Sequence, residues 1–201
     1  MKFKPILMYF VIALLPLSAY SDLAQIQQQL NIAPLFQCEF EQTRQLKDMQ
    51  LNLQSKGELV LAQPKGLIWQ QTAPFPQTMV MTEKQIYQSV LGNVQIISAT
   101  EQPQLFHFTQ LIRDVLQGQW QRLTHYFQME EVKTNTSQWQ VVLRPSRAPF
   151  QSIFKHIILT GDSSIQSVRI QDQQGDSTEL HFKNCKALKS LTHEQDTLFA
   201  Q

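Results

Sequence analysis

The strongest constraint on the fold of this chain is a period-two alternation of apolar and polar residues. Phe36, Cys38 and Phe40 are each followed by a polar residue, and Leu59 and Leu61 have the same spacing of two residues. Successive side chains of a β-strand point to opposite faces, so this pattern is typical of a strand with one buried face. The sequence therefore predicts a sheet that is apolar on one side.

The same pattern recurs along most of the chain, between turn residues such as Gly, Pro, Asn and Asp. It predicts strands at residues 35–46, 51–62, 67–72, 78–82, 85–90, 94–99, 126–133, 139–143, 154–159, 165–171 and 177–182. Apolar residues at helical spacing predict amphipathic helices at 22–31, capped by Asp22, and 104–118, ended by Gly118, with a short piece at 119–123. Residues 192–201 are expected to be a tail or a final short strand. This arrangement predicts a mainly β, α+β fold: a strongly curved antiparallel sheet covered by helices.

The first 21 residues have the pattern of a secretory signal peptide. Lys2 and Lys4 precede an apolar run at residues 6–17, and small residues predict a cut after Ser21. An uncleaved membrane anchor is the alternative, although the apolar run is short for a membrane span. We therefore expect a single domain at residues 22–201, exported to the periplasm.

The charge balance argues against a nucleic-acid partner. The chain has 17 basic and 16 acidic residues, and loss of Lys2 and Lys4 with the leader gives a net charge of −1. A nucleic-acid binder needs a basic surface that neutralises phosphates. The five histidines lack metal-ligand spacing, and neither a phosphate-binding glycine loop nor a G-x-S-x-G motif occurs. The sequence predicts no catalytic residues, no metal and no cofactor.

Cys38 and Cys185 are the two cysteines, and both fall near strand-like segments at opposite ends of the predicted domain. In an oxidising compartment we expect them to form a disulfide, with two buried free thiols as the alternative. Such a bridge closes nearly the whole domain, which by loop entropy is worth about 4 to 5 kcal/mol.

Aromatic residues and methionines stand out among the apolar positions, including Phe40, Trp69, Met79, Met81 and Phe108. Most such residues form the core of a domain. The alternative is that part of the set lines a cavity between the sheet and the helices, where flexible methionines suit a variable hydrocarbon ligand. Both interpretations remain open from the pattern alone.

Several short motifs resemble those of a known family. They are F-x-Q at Phe40 and Gln42, G-x-L-x-L at Gly57, Leu59 and Leu61, P-x(4)-W-x(4)-P at Pro64, Trp69 and Pro74, and, further on, Gly118 before Phe127 and Trp139 with Leu143 and Pro145. In this order and spacing, the motifs resemble the LolA family of periplasmic outer-membrane lipoprotein carriers, and more closely the LolA-related proteins found beside lipid exporters. The resemblance covers nearly the whole predicted domain.

The resemblance implies an eleven-stranded, unclosed (half) β-barrel with a lid of three helices over a hydrophobic cavity. It implies a monomeric carrier that takes acyl chains of a lipoprotein or exported lipid from an inner-membrane exporter to an outer-membrane acceptor. The cavity-wall positions would be Phe40, Leu59, Leu61, Leu67, Trp69, Met79, Met81 and Phe108. Lipoprotein carriers have an arginine latch for the lid at the position of Gln63, and glutamine is shorter and uncharged.

Two other functions remain open from the sequence. The first is a periplasmic sensor or adaptor domain of the same fold, which would bind a membrane-protein partner through its cavity or its sheet edge. The second is an enzyme acting on a lipid, but the sequence contains no recognisable arrangement of acid, base and nucleophile.

Overall fold

The structure is a computed structural model that describes residues 18–135 and 137–201, with side chains from residue 24 onwards except those of Gln104 and Glu131. The predicted signal peptide lies mostly outside this range. In the part that is described, no helix is long and apolar enough to cross a membrane.

The described part of the chain contains eleven strands. They are β1 Leu35–Leu46, β2 Leu51–Ala62, β3 Gly66–Ala73, β4 Gln77–Met81, β5 Gln85–Val90, β6 Asn93–Ser98, β7 Phe127–Thr134, β8 Trp139–Pro145, β9 Phe154–Gly161, β10 Ile165–Asp172 and β11 Ser177–Ala187. All strand pairs are antiparallel, because most strands follow one another through short turns. The predicted strands are confirmed, and β11 is five residues longer than predicted.

The strands form one open sheet in the order β6-β5-β4-β3-β2-β1-β11-β10-β9-β8-β7. Two meanders, β1 to β6 and β7 to β11, are joined where β1 pairs with β11 along the middle of the sheet. In the described residues β6 and β7 remain unpaired with each other, so the sheet is not closed. This confirms the predicted mainly β fold with an unclosed barrel.

Three helices belong to the inner side of the sheet: α1 Ser18–Gln29, α2 Pro103–Leu116 and α3 Trp120–Leu123. The chain runs through α2 and α3 from one outer strand, β6, to the other, β7. Gly118, with φ +62°, provides the turn between α2 and α3, and a Cβ there would lie 2.9 Å from Leu30 Cδ1. The helices therefore cross between the two edges of the sheet, as expected for a lid.

Two details of the predicted helices are wrong. The first is that Asp22 does not cap α1, because the described helix already includes residues 18–21, and α1 ends at Gln29. The second concerns the C-terminus, which is neither a tail nor a strand but helix α4, His193–Phe199. Thr192 and Gln195 form a reciprocal capping box that starts this helix, and this T-x-x-Q signal was available in the sequence.

Helix α4 covers the outer side of the sheet. Its Leu198 and Phe199 pack against a small cluster of Val60, Ile68 and Val80. These three residues are aligned across β2, β3 and β4, and they alternate with the residues of the inner face. The sheet is thus apolar on both faces at this end, which explains why Val60, Ile68 and Val80 are buried.

Candidate functional site

The inner face of the sheet is an uninterrupted apolar surface. One row runs in register across five strands and consists of Phe36, Leu61, Leu67, Met81 and Ile86. A second row, two residues further along each strand, includes Leu59, Trp69 and Met79. The other meander continues this surface with Leu143, Ile157 and Leu159. The alternation in the sequence therefore places every member of the predicted wall on β2, β3 and β4 on one face.

Side chains of the three inner helices fill the space above this face. The buried ones are Ile26 of α1, Leu111, Val115 and Leu116 of α2, and Trp120 and Leu123 of α3. They form a single cluster with the apolar residues of the sheet, as in the core of an ordinary domain. In this conformation the helices, and not a ligand, cover the inner face.

The eight predicted cavity residues divide into two groups. Phe40, Leu59, Leu61, Leu67 and Met81 are buried in the main core. Trp69, Met79 and Phe108 are half-buried and pack at its margin. In this conformation the set is therefore part of the packed core or lies at its margin.

An open cleft of about 410 Å³ separates α2 from the turn between β4 and β5. Its lining combines Phe106, Thr109 and Arg113 of α2 with Thr82 and Glu83 of the turn. A second cleft, of about 350 Å³, lies beside β7, β8 and β9 and is lined mostly by polar residues such as Gln138, Gln140 and Thr160. The first cleft borders the lid and the apolar interior, so it is the place where α2 is least closely packed on the sheet.

Polar groups of α2 and α3 are bonded mainly to one another. Gln110 Nε2 donates to Asp114 Oδ1 at 2.7 Å, and Arg122 Nη1 lies 3.3 Å from the same oxygen. The N–H of Gln119 donates to the carbonyl of Asp114 at 2.8 Å. Burial raises the pKa of the Asp114 carboxyl, while the Gln110 hydrogen bond and the Arg122 charge oppose that rise. These contacts tie α2 to α3 rather than to the sheet.

One ion pair joins α2 to the sheet among the side chains that the structure describes. Arg113 Nη2 lies 3.9 Å from Glu83 Oε1, across the mouth of the larger cleft. The Arg113 side chain is largely buried, whereas Glu83 is mostly exposed to solvent. Exposed pairs at this distance contribute little stability, so apolar packing is what mainly holds the lid on the sheet.

Gln63, at the predicted latch position, is exposed just after β2. Its backbone N–H donates to the carbonyl of Pro34 at 2.8 Å, next to the segment that leaves α1. Within residues 18–135 and 137–201, no hydrogen bond joins the Gln63 side chain to a helix. The Glu83–Arg113 pair, which was not predicted from the sequence, is instead the ion pair between α2 and the sheet among the described side chains.

Groups suited to metal chemistry are dispersed over the surface. In the described part of the chain, no cluster of three or more His, Cys, Asp or Glu side chains could hold a metal ion. Of the histidines, His156 is half-buried, and the exposed ones are His107, His125, His181 and His193. The structure therefore brings none of these imidazoles together into a site.

Cys38 of β1 and Cys185 of β11 form a disulfide across the middle of the sheet, with 4.1 Å between their Cα atoms. Cys38 is buried in the main core, whereas Cys185 is exposed. The register of β1 and β11 shifts beside this pair, between Gln37 and Glu39. The bridge covalently joins the two meanders at the one strand pair that connects them.

The comparison with protein families agrees with this architecture. Residues 33–199 match the family model of the outer membrane lipoprotein carrier protein LolA. This chain belongs to the LolA family. The match spans all eleven strands and the helices α2 to α4, so membership is a property of the whole fold and not of one motif. A comparison with curated protein sequences found no match.

One solved structure supports the same fold. A crystal structure of a LolA superfamily protein from Nitrosomonas europaea is 12% identical, with 91% of this chain and 97% of that one covered and a TM-score of 0.52. A putative outer membrane lipoprotein-sorting protein domain from Vibrio parahaemolyticus is 10% identical, with 90% and 97% covered and a TM-score of 0.45. The MucA/MucB complex of Pseudomonas aeruginosa is 14% identical, with 88% and 58% covered and a TM-score of 0.35. Scores below 0.5 support no conclusion about this chain.

Proposed function

We propose that this LolA-family chain is a periplasmic carrier that shields acyl chains of a lipoprotein or another lipid between the inner and outer membranes, without enzymatic activity. The observation that carries the proposal is the way in which the lid is attached. Helices α2 and α3 meet the sheet mainly through apolar side chains, whereas Gln110, Asp114 and Arg122 are bonded to one another within the helical pair. Such a lid can be displaced by a hydrocarbon chain without leaving buried polar groups unpaired.

Opening would exchange one apolar contact for another. As the lid moves away, Leu59, Leu61 and Leu67 lose their contacts with the helices. An acyl chain then contacts these leucines in place of the helices. Burial of each methylene is worth about 0.8 kcal/mol, so a single long chain gains on the order of 10 kcal/mol in total. Displacing the lid costs free energy, because it exposes the apolar surface that the helices had buried. The net affinity is therefore moderate, which a carrier needs in order to release its cargo.

The larger cleft marks where opening would begin. The gap between α2 and the β4–β5 turn already separates lid from sheet, and the weak Glu83–Arg113 pair closes its mouth. Phe106 and Thr109 are on the helical side of this cleft, close to the half-buried Phe108. In the proposed mechanism, a lipid tail enters here and displaces α2 progressively from the inner face.

Lipid uptake by the purified protein tests the proposal. A fluorescent fatty acid is titrated into the protein, and lipid co-purified from the periplasm is extracted and identified by mass spectrometry. Trp69→Asp introduces a charge at the half-buried margin of the inner face, and we expect it to weaken uptake at least about tenfold, since an unpaired charge in an apolar site is strongly unfavourable. Gln63→Ala is expected to have a much smaller effect.

Phe75→Asp is the matched control, because Phe75 is an exposed aromatic residue in the β3–β4 turn, outside the main core. Circular dichroism and thermal melting establish that all three variants are folded. The proposal fails if the folded native protein binds neither probe nor lipid. Equal, small effects of Trp69→Asp and Phe75→Asp would also reject the inner face as the binding surface.

A further inference from the structure

The β1–β2 hairpin ends in an exposed apolar tip. Met49, Leu51 and Leu53 are 73%, 45% and 46% exposed, respectively. Leu46 pairs with Leu51 and Arg44 with Leu53, so Leu46, Leu51 and Leu53 share one face of the hairpin. Large side chains exposed side by side at a tip differ from the scattered apolar residues of an ordinary surface. A surface of this kind suggests that something covers it.

On the β2 side, the tip also projects beyond the neighbouring strand β3. Strand β3 pairs with β2 from Lys56 to Ala62, and the register of β11 with β1 ends at Gln45 and Ser177. In the described ranges, residues 51–55 of β2 therefore have a strand partner on the β1 side alone. A hairpin that extends past the sheet can approach a flat surface before the rest of the molecule does.

Cationic side chains surround the tip. Residues 44–56 contain Arg44, Lys47 and Lys56 against one acid, Asp48, which gives this end of the hairpin a net charge of +2, while Glu41 lies opposite Lys56 on β1. The charge of Arg44 is partly neutralised by Asp176, 3.5 Å away at the β10–β11 turn. Lys47 is exposed, and its backbone N–H donates to the same Asp176 carboxylate. The tip thus combines an apolar end with positive charge on either side.

A second hairpin of the same sheet has a similarly exposed apolar tip but lacks charged residues. At the β5–β6 end, Leu91, Val94 and Ile96 are 68%, 57% and 54% exposed, at least as much as Leu51 and Leu53. Residues 85–98, however, contain no charged side chain. If exposed apolar area alone decided membrane contact, the two hairpins would be equivalent. Charge complementarity distinguishes them, because anionic lipid surfaces attract clustered Lys and Arg.

We infer that the β1–β2 tip docks onto the surface of a membrane containing anionic phospholipids, with Met49, Leu51 and Leu53 in the interfacial region and Lys47 and Lys56 at the level of the phosphates. Apolar area buried at the interface and attraction to anionic lipids add to each other in such contacts. The free edge of residues 51–55 remains among hydrated head groups, where water satisfies its backbone groups. The inference goes beyond the carrier proposal, since the hairpin can bind a membrane whether or not the interior takes up a lipid.

Vesicle co-sedimentation tests the docking surface. The purified protein is mixed with vesicles of phosphatidylcholine alone or of phosphatidylcholine with phosphatidylglycerol, and we expect binding to the second kind that falls as salt is added. The triple variant Met49→Ser, Leu51→Ser, Leu53→Ser is expected to bind at least about tenfold more weakly, because it removes most of the apolar area at the tip. Lys47→Gln with Lys56→Gln is expected to abolish the preference for phosphatidylglycerol.

The matched control is Leu91→Ser, Val94→Ser, Ile96→Ser, which removes comparable apolar area from the uncharged hairpin and is expected to leave vesicle binding unchanged. Equal loss in both triple variants, or no binding by the native protein, overturns the inference. So does concentration-dependent dimerisation that the tip variant abolishes, because the tip would then contact a second copy. Acyl-probe uptake is measured on the same samples: unchanged uptake in the tip variant separates this surface from the interior site.

Discussion

Phe40 of β1 stacks on Trp69 of β3 across the intervening strand, with 3.9 Å between ring centroids and 30° between the ring planes. The two rings can meet because Gly57, which pairs with Phe40, contributes no side chain to the inner face of β2. Phe40 of the F-x-Q motif, Gly57 of the G-x-L-x-L motif and Trp69 of the Pro-Trp-Pro motif thus form one contact. Spaced along the chain, they come together only when three strands pair.

Gly57 is the first position to test. An added Cβ would overlap the Gln70 carbonyl oxygen and lie 2.8 Å from the Gln71 Cα, both backbone atoms of β3, so the two strands would have to move apart. Gly57→Ala is therefore expected to lower the free energy of unfolding by about 1 to 3 kcal/mol. Urea denaturation measures it, with Gly92→Asn as control, because a side chain at Gly92 has open space and asparagine tolerates its φ of +84° better than most residues do. A Gly57→Ala protein as stable as the native one would contradict this close approach of the two strands.

The Glu83–Arg113 pair is expected to slow opening of the lid. Glu83→Gln removes the charge at the turn and leaves the contact of Arg113 with Gln110 in place. Because Glu83 is exposed and lies 3.9 Å from Arg113, we expect uptake of a fluorescent fatty acid to accelerate by less than about fivefold. Stopped-flow fluorescence measures the rate.

Glu41→Gln is the control for that experiment. Glu41 pairs with Lys183 on adjacent strands β1 and β11, and neither residue contacts the lid through this pair. An equal acceleration in both variants would mean that the loss of a surface charge, and not the release of α2, changes the rate.

Asp114 is expected to make stability fall as the pH rises. Burial raises the pKa of this carboxyl in the folded protein, so between its ordinary value and the raised value the folded state binds more protons than the unfolded state. Stability contributed by the protonated form is complete below the ordinary value of 3.8 and is lost as the pH rises through the folded pKa. Asp114→Asn cannot titrate and is expected to melt at a higher temperature at neutral pH, with the gain shrinking in acid.

Thermal melting from acid to neutral pH measures this difference. Asp48→Asn, at an exposed position in the β1–β2 turn, is the control for loss of one negative charge. A neutral-pH melting temperature of Asp114→Asn below that of the native protein would show that the hydrogen bond from Gln110 and the contact with Arg122 outweigh desolvation.

The disulfide is expected to be the largest single contribution to stability among these tests. Cys38 and Cys185 are 147 residues apart, and loop entropy assigns a bridge of that span about 4 to 5 kcal/mol. The double variant Cys38→Ser, Cys185→Ser should therefore unfold at markedly lower urea concentration. Native protein treated with reductant is the comparison, and both should behave alike. If the double variant matched the oxidised protein in stability, the joint between the meanders would depend on packing alone.

The predictable elements were those with strong local signals. Strands β1, β2 and β5 begin and end where alternation begins and ends, and α2 ends at the Gly118 turn. The C-terminal helix was missed because seven residues carry too little periodicity, although Thr192 and Gln195 spell its capping box. Asp22 was predicted to start a helix because an N-cap is recognised from its residue type. The prediction failed because Asp22 lies inside α1, whose described part begins at Ser18. Both errors arise because short sequence patterns identify helix ends poorly. Neither error affects the predicted sheet.

The sequence alone determined that the chain forms a long antiparallel sheet with one apolar face, since side-chain alternation is a local property of each strand. Only the tertiary structure decided what covers that face. Apolar residues of helices and of strands look alike in sequence, so it takes packing to show that Leu111 and Trp120 fill the inner side while Leu198 and Phe199 cover the outer one. The same packing makes Leu59 and Leu61 core residues here, because a filled interior and an empty cavity require the same side chains.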